Sequence, residues 1–356
     1  MSAPPRLARV ARARIGGTWV ADAVLQLTRT GVTPVRPGSA AAATGAERQL
    51  PRHELTLLPP ITDAHVHLGL SDAAEPTPTA FARVLDLGWT PAALPGLIEA
   101  VAAAHPALEI RFAGPFHAAP GGYPSDRPWA APGTVAELAD AAGAARSIRA
   151  QAAAGASVIK VMLNSDDGPV PDDALLAAIV AETHGAGLPL AAHVQGAGQA
   201  ERALTAGVDI LAHTPWTERL SDELVRAAAG RQTWISTLAM HGRDGDETAF
   251  ARATDNLARF AAAGGAVLYG SDLGNGITRL DLDAHELAAL RQAGVEGTAL
   301  VDALLAPPRG APHPVALRPG GPTISALPAE VDGDDAVIAA LHHARPMRIT
   351  DLEASA

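Results

Sequence analysis

Cysteine is absent from the 356 residues of this chain. Its absence excludes disulfide bonds, thiolate metal ligands and a cysteine nucleophile. Any metal site must therefore be built from histidine, carboxylate or modified lysine side chains. Aromatic residues are also scarce, at 3% of the chain, whereas 48% of the residues are hydrophobic. A chain of this length and composition is globular and can bury one large core or two modest ones.

Long apolar runs and clusters of basic residues are missing too. The apolar segment 92–108 is interrupted by Glu99 and His105, well short of the roughly 18 residues that a membrane-spanning helix needs. The 27 basic residues are scattered, and the net charge is −11 with histidine neutral. We therefore expect no membrane association and no nucleic-acid partner, whereas small neutral or cationic partners remain open.

The first residues are basic, with arginine at positions 6, 9, 12 and 14. They lack the apolar region and the small-residue cleavage site of a secretory signal. The sequence therefore predicts a cytoplasmic protein.

Lysine is nearly absent as well. Lys160 is the only lysine, and every other basic residue among the 27 is arginine. A position where arginine would serve equally well should have become arginine, so the retained lysine indicates chemistry that requires a primary amine. Chance retention of a single residue is the alternative reading.

From about residue 60 onward, short apolar runs alternate with alanine-rich segments of helical period. The runs predicted as strands are 60–66, 81–87, 109–115, 156–163, 188–194, 208–213, 232–238 and 266–271. The segments predicted as helices are 91–104, 135–154, 171–186, 198–206, 221–229 and 248–263. Eight strands with intervening helices favour an α/β fold of the (β/α)8 TIM barrel type. A doubly wound sheet ranks second, because no G-x-G-x-x-G turn follows an early strand.

The pattern divides the chain into three regions. Residues 1–58 predict a small β-structured flank, with strand-prone pieces at 18–27 and 31–35 and an alanine- and glycine-rich stretch at 38–46. Residues 59–295 form the predicted barrel. Residues 296–356 are a tail that is rich in proline and glycine at 307–322, with a predicted helix at 335–344 and a predicted strand at 347–349.

Two histidines stand at the end of the first predicted barrel strand. His65 and His67 are two residues apart, so they point to the same face of a strand. The carboxyl end of a barrel strand is where catalytic groups collect. With 13 histidines in the chain, such a pair is weak evidence by itself.

Other polar residues fall at the ends of later predicted strands, namely Lys160, His193, His213 and Asp272. A single histidine on an apolar strand is more often a hydrogen-bonded core residue than a ligand. Together, however, these strand ends bring imidazoles, a carboxylate and the lone amine to one mouth of the barrel. The combination favours a metal site.

These residues resemble the amidohydrolase superfamily, specifically its binuclear members with a carboxylated lysine. The resemblance covers roughly residues 50–295, and the family order of His-x-His, Lys, His, His and Asp falls on strands one, four, five, six and eight. The runs GASVIK at 155–160, GVDILAH at 207–213 and GSD at 270–272 are similar to imidazolonepropionase-like and Xaa-Pro dipeptidase-like hydrolases. Many of that branch carry a second histidine where this chain has Gln195, and their C-terminal strand signature is not recognisable here.

The resemblance implies two divalent metal ions, with zinc as the default, and a CO2-derived carbamate on Lys160 that bridges them. It implies that His65, His67 and Asp272 hold one ion and that His193 and His213 hold the other. A hydroxide shared by the metals would attack an amide, cyclic amide or peptide-like C–N bond of a small molecule. Asp272 would act as the proton shuttle, with Lys160 as the second catalytic residue.

Several other functions remain open at this point. Lactone, ester and phosphotriester hydrolases share the same ligand set, so the spacing does not identify the bond that is cleaved. A Schiff-base enzyme would use Lys160 but leave the histidines unexplained, and deaminases of the superfamily generally manage without the lysine. A non-catalytic metal-binding or scaffold barrel is the alternative outside enzymes.

Residues near the predicted barrel mouth are candidates for contact with a small-molecule substrate: His117, Tyr123, Trp216, His241 and Asn275. Taken alone, each of these residues is equally well explained by a structural role. Several aromatic rings at loop positions nevertheless indicate an apolar or ring-bearing ligand in a chain so poor in them. Barrel enzymes often form homo-oligomers, but the sequence shows no interface signature.

Overall fold

The N-terminal part of the chain forms the strands β1 (Arg6–Ile15), β2 (Thr18–Thr28), β3 (Gly31–Pro34) and β4 (Arg52–Leu58). They are seen in a computed structural model that describes residues 6–28, 31–35, 50–305, 323–328 and 330–354. The predicted loose stretch at 38–46 and the proline- and glycine-rich segment at 307–322 lie outside these ranges. β2 and β3 contain the strand-prone pieces predicted from sequence, whereas β1 is a strand that the basic N-terminal pattern did not predict.

Strands and helices then alternate along the central part of the chain. The strands are β5 (Thr62–Val66), β6 (Arg83–Asp86), β7 (Glu109–Phe112), β8 (Phe116–Ala118), β9 (Val135–Glu137), β10 (Ile159–Asn164), β11 (Leu190–Gln195), β12 (Ile210–Leu211), β13 (Thr233–Ile235) and β14 (Ala266–Leu268). The helices are α1 (Leu94–Ala104), α2 (Ala141–Ala153), α3 (Asp173–Gly185), α4 (Gln199–Ala206), α5 (Asp222–Ala229), α6 (Ala239–Arg243) and α7 (Glu247–Ala262). Each of the eight apolar runs overlaps one parallel strand.

The C-terminal part adds α8 (Ala284–Gln292), α9 (Gly297–Leu305), β15 (Thr323–Leu327), α10 (Asp334–Ala340), β16 (Arg345–Arg348) and α11 (Asp351–Ala354). Short 3-10 helices occur at Leu68–Leu70 and Leu341–His343. No helix among the described residues combines the length and the apolarity that crossing a membrane requires.

Side-chain caps set the starts of several helices. Asp140, Asp172 and Ser221 each accept a hydrogen bond from a backbone N–H in the first turn of α2, α3 and α5. The cap at Asp140 explains one wrong prediction: the segment 135–154 was expected to be a single helix. Its first part is the strand β9 instead, and the helix begins only after Asp140.

Three sheets organise the strands. The flank sheet has the order β16-β15-β4-β1-β2-β3, so the C-terminal strands complete the N-terminal flank. A parallel sheet of seven strands has the order β14-β13-β12-β11-β10-β8-β9, and β5, β6 and β7 form a further parallel sheet.

The two parallel sheets are linked through their edges. Beyond β14, the Tyr269 carbonyl accepts a hydrogen bond from Ala64 N at 2.9 Å, and the Leu273 carbonyl accepts one from His67 N at 2.7 Å. At the other junction, Ser157 N donates to the carbonyl of Phe112 at 2.8 Å. The chain after β14 therefore lies beside β5, and β7 lies beside the start of β10.

Candidate metal centre

The carboxyl end of β5 places two imidazoles side by side. The Nδ1 atom of His65 donates to the Ala212 carbonyl at 2.7 Å, and the Nδ1 atom of His67 donates to the Gly88 carbonyl at 3.2 Å. With Nδ1 engaged in this way, each ring turns its Nε2 atom toward the other ring, and these two atoms are 3.2 Å apart. Two nitrogen lone pairs aimed at one point are suited to a shared cation, and the carbonyl acceptors fix the tautomers.

Two further histidines converge on the same point. The ring centroid of His213 lies 4.5 Å from that of His65 and 4.9 Å from that of His193. The His213 Nδ1 atom is 2.9 Å from Thr237 Oγ1, and His193 Nε2 lies 3.2 Å from Gln195 Oε1. His213 therefore has Nε2 and His193 has Nδ1 available as a ligand atom.

Asp272 supplies the carboxylate. Its Oδ1 atom is 3.3 Å from His65 Nε2 and 3.7 Å from His67 Nε2, while Oδ2 accepts a hydrogen bond from Asn275 Nδ2 at 2.9 Å. The backbone of Asp272 has a φ of 55°, in the left-handed region that aspartate and asparagine tolerate better than most residues. Asp272 comes shortly after the end of β14, and this conformation turns its carboxylate back toward β5.

Lys160 lies on β10 with only 1% of its surface exposed. Burial lowers the pKa of its amine to about 7, although the carboxylates of Asp272 and Asp86 oppose that shift. Because the charged form is disfavoured, a large fraction of the amine is neutral at physiological pH. The residue lines the same cavity as His67, His193 and Asp272.

Three histidines of the cluster, His65, His193 and His213, are neutral. Burial is the main cause that lowers the pKa of His193 to about 3 and holds those of His65 and His213 well below the ordinary value. Nearby basic groups, Lys160 among them, add to the effect. Neutral imidazole is the form that binds metal ions.

The donor set fits a divalent cation. Ligand atoms of His65, His213 and Asp272 all lie within 4.8 Å of one another, and this triad is the only such group of histidine and carboxylate side chains found in the described ranges. Every member is buried. Nitrogen and carboxylate oxygen ligands in a closed set of this kind are typical of zinc and related ions.

A cavity of about 490 Å³ opens above the cluster. Among the residues predicted to contact substrate, Tyr123, Trp216, His241 and Asn275 line this cavity. The Tyr123 ring stacks on His193 with centroids 5.4 Å apart.

His117 is not among the residues that line the cavity. It was expected near the barrel mouth, and it lies on β8 with no exposed surface. Its Nε2 atom is 2.9 Å from Ser147 Oγ and 2.9 Å from Gln151 Nε2, both on α2. His117 therefore joins β8 to α2 and lies outside the cavity lining.

Several residues that support the cluster were missed from sequence. Asp86 accepts hydrogen bonds from Leu68 N at 2.8 Å and Gly88 N at 3.0 Å, which braces the turn that holds His67. Asp63 accepts one from Ser271 Oγ at 2.5 Å, next to Asp272. Asp86 follows apolar residues and ends β6, and that position is the signal that could have found it. Asp63 is the second residue of β5, where no such signal marks it.

Comparison with known proteins shows matches among solved structures alone. No protein-family model and no curated protein sequence matches the chain. An ochratoxinase from A. niger superposes with a TM-score of 0.71 and 17% identity, covering 95% of this chain and 93% of that chain. A Xaa-Pro dipeptidase with bound methionine in its active site gives 0.61 and 17%, covering 84% and 86%.

A structure described as molinate hydrolase gives a TM-score of 0.63 and 14% identity, covering 98% of this chain and 94% of that chain. At such identities the likeness establishes the fold. The chain is thus similar in fold to amidohydrolase and Xaa-Pro dipeptidase structures, as the sequence motifs predicted.

Proposed function

We propose that this protein is a metal-dependent hydrolase of the amidohydrolase type that cleaves an amide, cyclic amide or peptide-like C–N bond of a small molecule. The observation that carries the proposal is the convergence of the sole lysine, buried imidazoles and Asp272 on one cavity. These side chains are far apart along the chain. A purely structural role gives no reason for them to meet.

We also propose that the two parallel sheets form one closed (β/α)8 barrel. A buried cluster takes side chains from strands of both sheets, including Ala64, Leu85, Ala191, Ile235 and Leu268. Hydrogen bonds between β5 and the chain after β14 support the same closure. The cluster would then fill the barrel interior below the cavity.

Two metal ions would be held by the cluster, with zinc as the default. His65, His67 and Asp272 would bind one ion, and His193 and His213 would bind the other. When bound, the ions supply a water that is nucleophilic near neutral pH and a Lewis acid for the scissile carbonyl. Tyr123 and Trp216 would cover the substrate and limit access of bulk water.

Lys160 would bridge the ions as a carbamate. Its neutral amine would add to CO2, forming one N–C bond and releasing one proton to solvent. The product carries a negative charge on two oxygens, whereas an unmodified ammonium would repel metal ions. An arginine at this position has no amine that is neutral at physiological pH, which explains why a lysine stands there.

Asp272 would move the proton. Its Oδ1 atom faces the two imidazoles of β5, where it can accept a proton from the attacking water and pass it to the leaving nitrogen. Asn275 holds the other carboxylate oxygen and so fixes the orientation of the group.

The test is Lys160→Ala, with metal content measured by mass spectrometry and hydrolysis measured on a panel of cyclic amides, N-acyl amino acids and prolyl dipeptides. We expect strong loss of metal and of turnover, with partial recovery on addition of short-chain carboxylic acids. His184→Ala is the control, because this half-exposed histidine pairs with Asp209 away from the cavity. Full metal content and activity in Lys160→Ala would overturn the carbamate role, and absence of metal and turnover in the wild-type protein would favour a scaffold barrel.

A further inference from the structure

The outer part of the cavity is acidic. Asp244 and Asp246 line it from the turn between α6 and α7. Asp246 accepts a hydrogen bond from Ala249 N at 2.9 Å and so starts α7, whereas the Asp244 carboxylate has no hydrogen-bond or ion-pair partner in the described part of the chain. Both side chains belong to exposed residues at the cavity entrance.

His241 lies between these carboxylates and the metal cluster. It is only 5% exposed and lines the cavity, yet its ring makes no hydrogen bond with any residue in the described ranges. Because the residue lines the cavity, a ligand or water there can complete the hydrogen bonds of its ring. Burial lowers the pKa of His241 to about 4, so the ring is neutral and does not compete with a cation.

Trp216 forms the adjoining wall. Its ring lies 5.1 Å from that of His241 and 5.6 Å from that of His213, measured between centroids. An indole ring and carboxylates that line one cavity make a favourable site for an organic cation, because the ring quadrupole and the negative charges both attract it.

The cavity lining offers a carboxylate group of a substrate no free basic side chain outside the proposed metal centre. Of the residues that line the cavity, Lys160 is the only lysine or arginine, and it belongs to the proposed metal centre. Arg127 is paired with Asp167 at 3.1 Å and lies 5.2 Å from the centre of the Tyr123 ring. Arg243 is paired with Asp283 at 2.8 Å.

A metal ion is a poor occupant of this region. The single group of three ligand atoms within 4.8 Å in the described residues is the His65 triad, so His241, Asp244 and Asp246 do not form a second one. Their wider separation suits an occupant of several atoms.

We infer that Trp216, His241, Asp244 and Asp246 form a subsite for a positively charged organic group of the substrate, such as a protonated amine or a quaternary ammonium. The inference rests on the proposed function for the reaction itself but concerns which small molecules the cavity accepts. It favours cationic amides over substrates with a free carboxylate near the cavity entrance.

The experiment compares three compounds whose ends are blocked, so that they differ only in the side chain: Nα-acetyl-lysine amide is cationic, Nα-acetyl-norleucine amide is neutral and Nα-acetyl-glutamate amide is anionic. Binding to the metal-loaded protein is measured by calorimetry, and hydrolysis of the same compounds is followed separately by chromatography. We expect the lysine compound to bind about ten-fold more tightly than the norleucine compound, and the glutamate compound to bind most weakly. The preference should shrink as salt is added.

Asp244→Asn and Asp246→Asn test the residues directly. Each should reduce the preference for lysine by about two- to five-fold, because each removes one charge at a partly exposed site. Asparagine is itself a good N-cap, so Asp246→Asn should preserve the start of α7. Glu182→Gln is the control. It removes one negative charge near the C-terminus of α3, outside the cavity lining, whereas Asp246 caps the N-terminus of α7.

The outcomes separate the two proposals. Equal binding of the lysine and norleucine compounds, or a preference that survives both substitutions, would overturn the cationic subsite even if amides are hydrolysed. Preferential binding of the lysine compound without hydrolysis of any amide would support the subsite and contradict the proposed reaction.

Discussion

At the residue scale, the backbone of Asp272 permits a clean test of its chemistry. Asparagine tolerates the φ of 55° and can keep one oxygen facing Asn275, so Asp272→Asn should fold normally. Without an ionisable carboxylate, turnover should fall about 100-fold or more. Steady-state kinetics with a thermal melt on the same sample would measure both effects.

Asp22→Asn is the matched control. Asp22 also has a positive φ, at 48°, but it pairs with Arg9 in the flank sheet. Its replacement should leave turnover unchanged. Wild-type turnover in Asp272→Asn would show that the proton moves through another group.

His117 and His241 carry the same signal in the sequence but have different surroundings in the structure. Both were expected to contact substrate, since both follow predicted strands. The His117 ring is hydrogen-bonded to side chains of α2, whereas the His241 ring lines the cavity. What separates them is the identity of neighbours on other elements, which spacing along the chain does not encode. The metal-ligand candidates were predictable because the parallel strands end on one side and thereby bring their last residues together.

At the element scale, the turn after β14 packs closely against the turn after β5. Gly274 has a φ of 105°, and a Cβ atom there would lie 2.9 Å from Leu70 Cβ and 3.0 Å from the His67 carbonyl oxygen. Gly274→Ala should therefore displace His67, lowering the melting temperature and the metal affinity together. Metal titration and a thermal melt measure the two quantities.

Gly276→Ala provides the comparison. Gly276 also has a positive φ, at 78°, but the nearest atom to an added Cβ is Arg243 Nε at 3.4 Å. It should show the backbone penalty of about 1 kcal/mol without the loss of metal affinity. Equal metal affinity in the two variants would mean that the contact with His67 does not hold the site.

Glu286 on α8 connects that helix to α6 through a hydrogen bond from Ala239 N at 2.7 Å. Burial raises the pKa of Glu286 to about 7 from an ordinary value of 4.5. The folded protein therefore holds a proton that the unfolded chain has lost between these pH values. The stability contributed by this group is present below about pH 4.5 and is lost as pH rises to about 7.

Glu286→Gln should remove this dependence. The difference in unfolding free energy between wild type and variant should shift against the wild type by up to about 1.4 kcal/mol per pH unit as the pH rises through this range. Denaturant unfolding of the metal-free proteins measures it. A difference that stays constant with pH would contradict the assignment.

The elements themselves were predicted unevenly. Apolar runs identified the parallel strands because buried strands are nearly continuous in hydrophobic residues. β8 was missed because it follows the predicted run 109–115 at once, and β9 because it begins the segment that was predicted as a helix. β1 was missed because arginines interrupt its buried apolar positions. β15 pairs with β4, which lies on the other side of the barrel region in the sequence, and β16 pairs with β15; no local pattern specifies the first contact.

At the scale of the whole molecule, the proposed ligands come from both parallel sheets. His65 and His67 lie on or just after β5, while His193 and His213 belong to the seven-stranded sheet region. Bound ions would therefore connect the sheets and favour the folded state by about 4 kcal/mol at a thousand-fold excess over Kd. Removal of metal with a chelator should lower the melting temperature by several degrees.

Scanning calorimetry before and after chelation measures that change. Lys160→Ala should respond much less, because its ions would be weakly held from the start. The same melting temperature with and without metal in the wild type would contradict a role for the ions in joining the sheets. The predicted boundaries at residues 58 and 295 stay predictions. Arg14 of the flank strand β1 pairs with Asp302 of α9 at 2.8 Å.

The pairing of β4 with β15 also has a consequence for biosynthesis. β4 leaves the ribosome long before β15 is made, and at about 5–20 residues per second this delay is roughly ten seconds or more. Throughout that interval the nascent chain presents an unpaired strand edge, which is a site for aggregation. Arg52 and Glu54 lie on that strand with exposed charges. Charged side chains on an edge strand disfavour pairing with other chains, so they reduce aggregation until β15 has been synthesised.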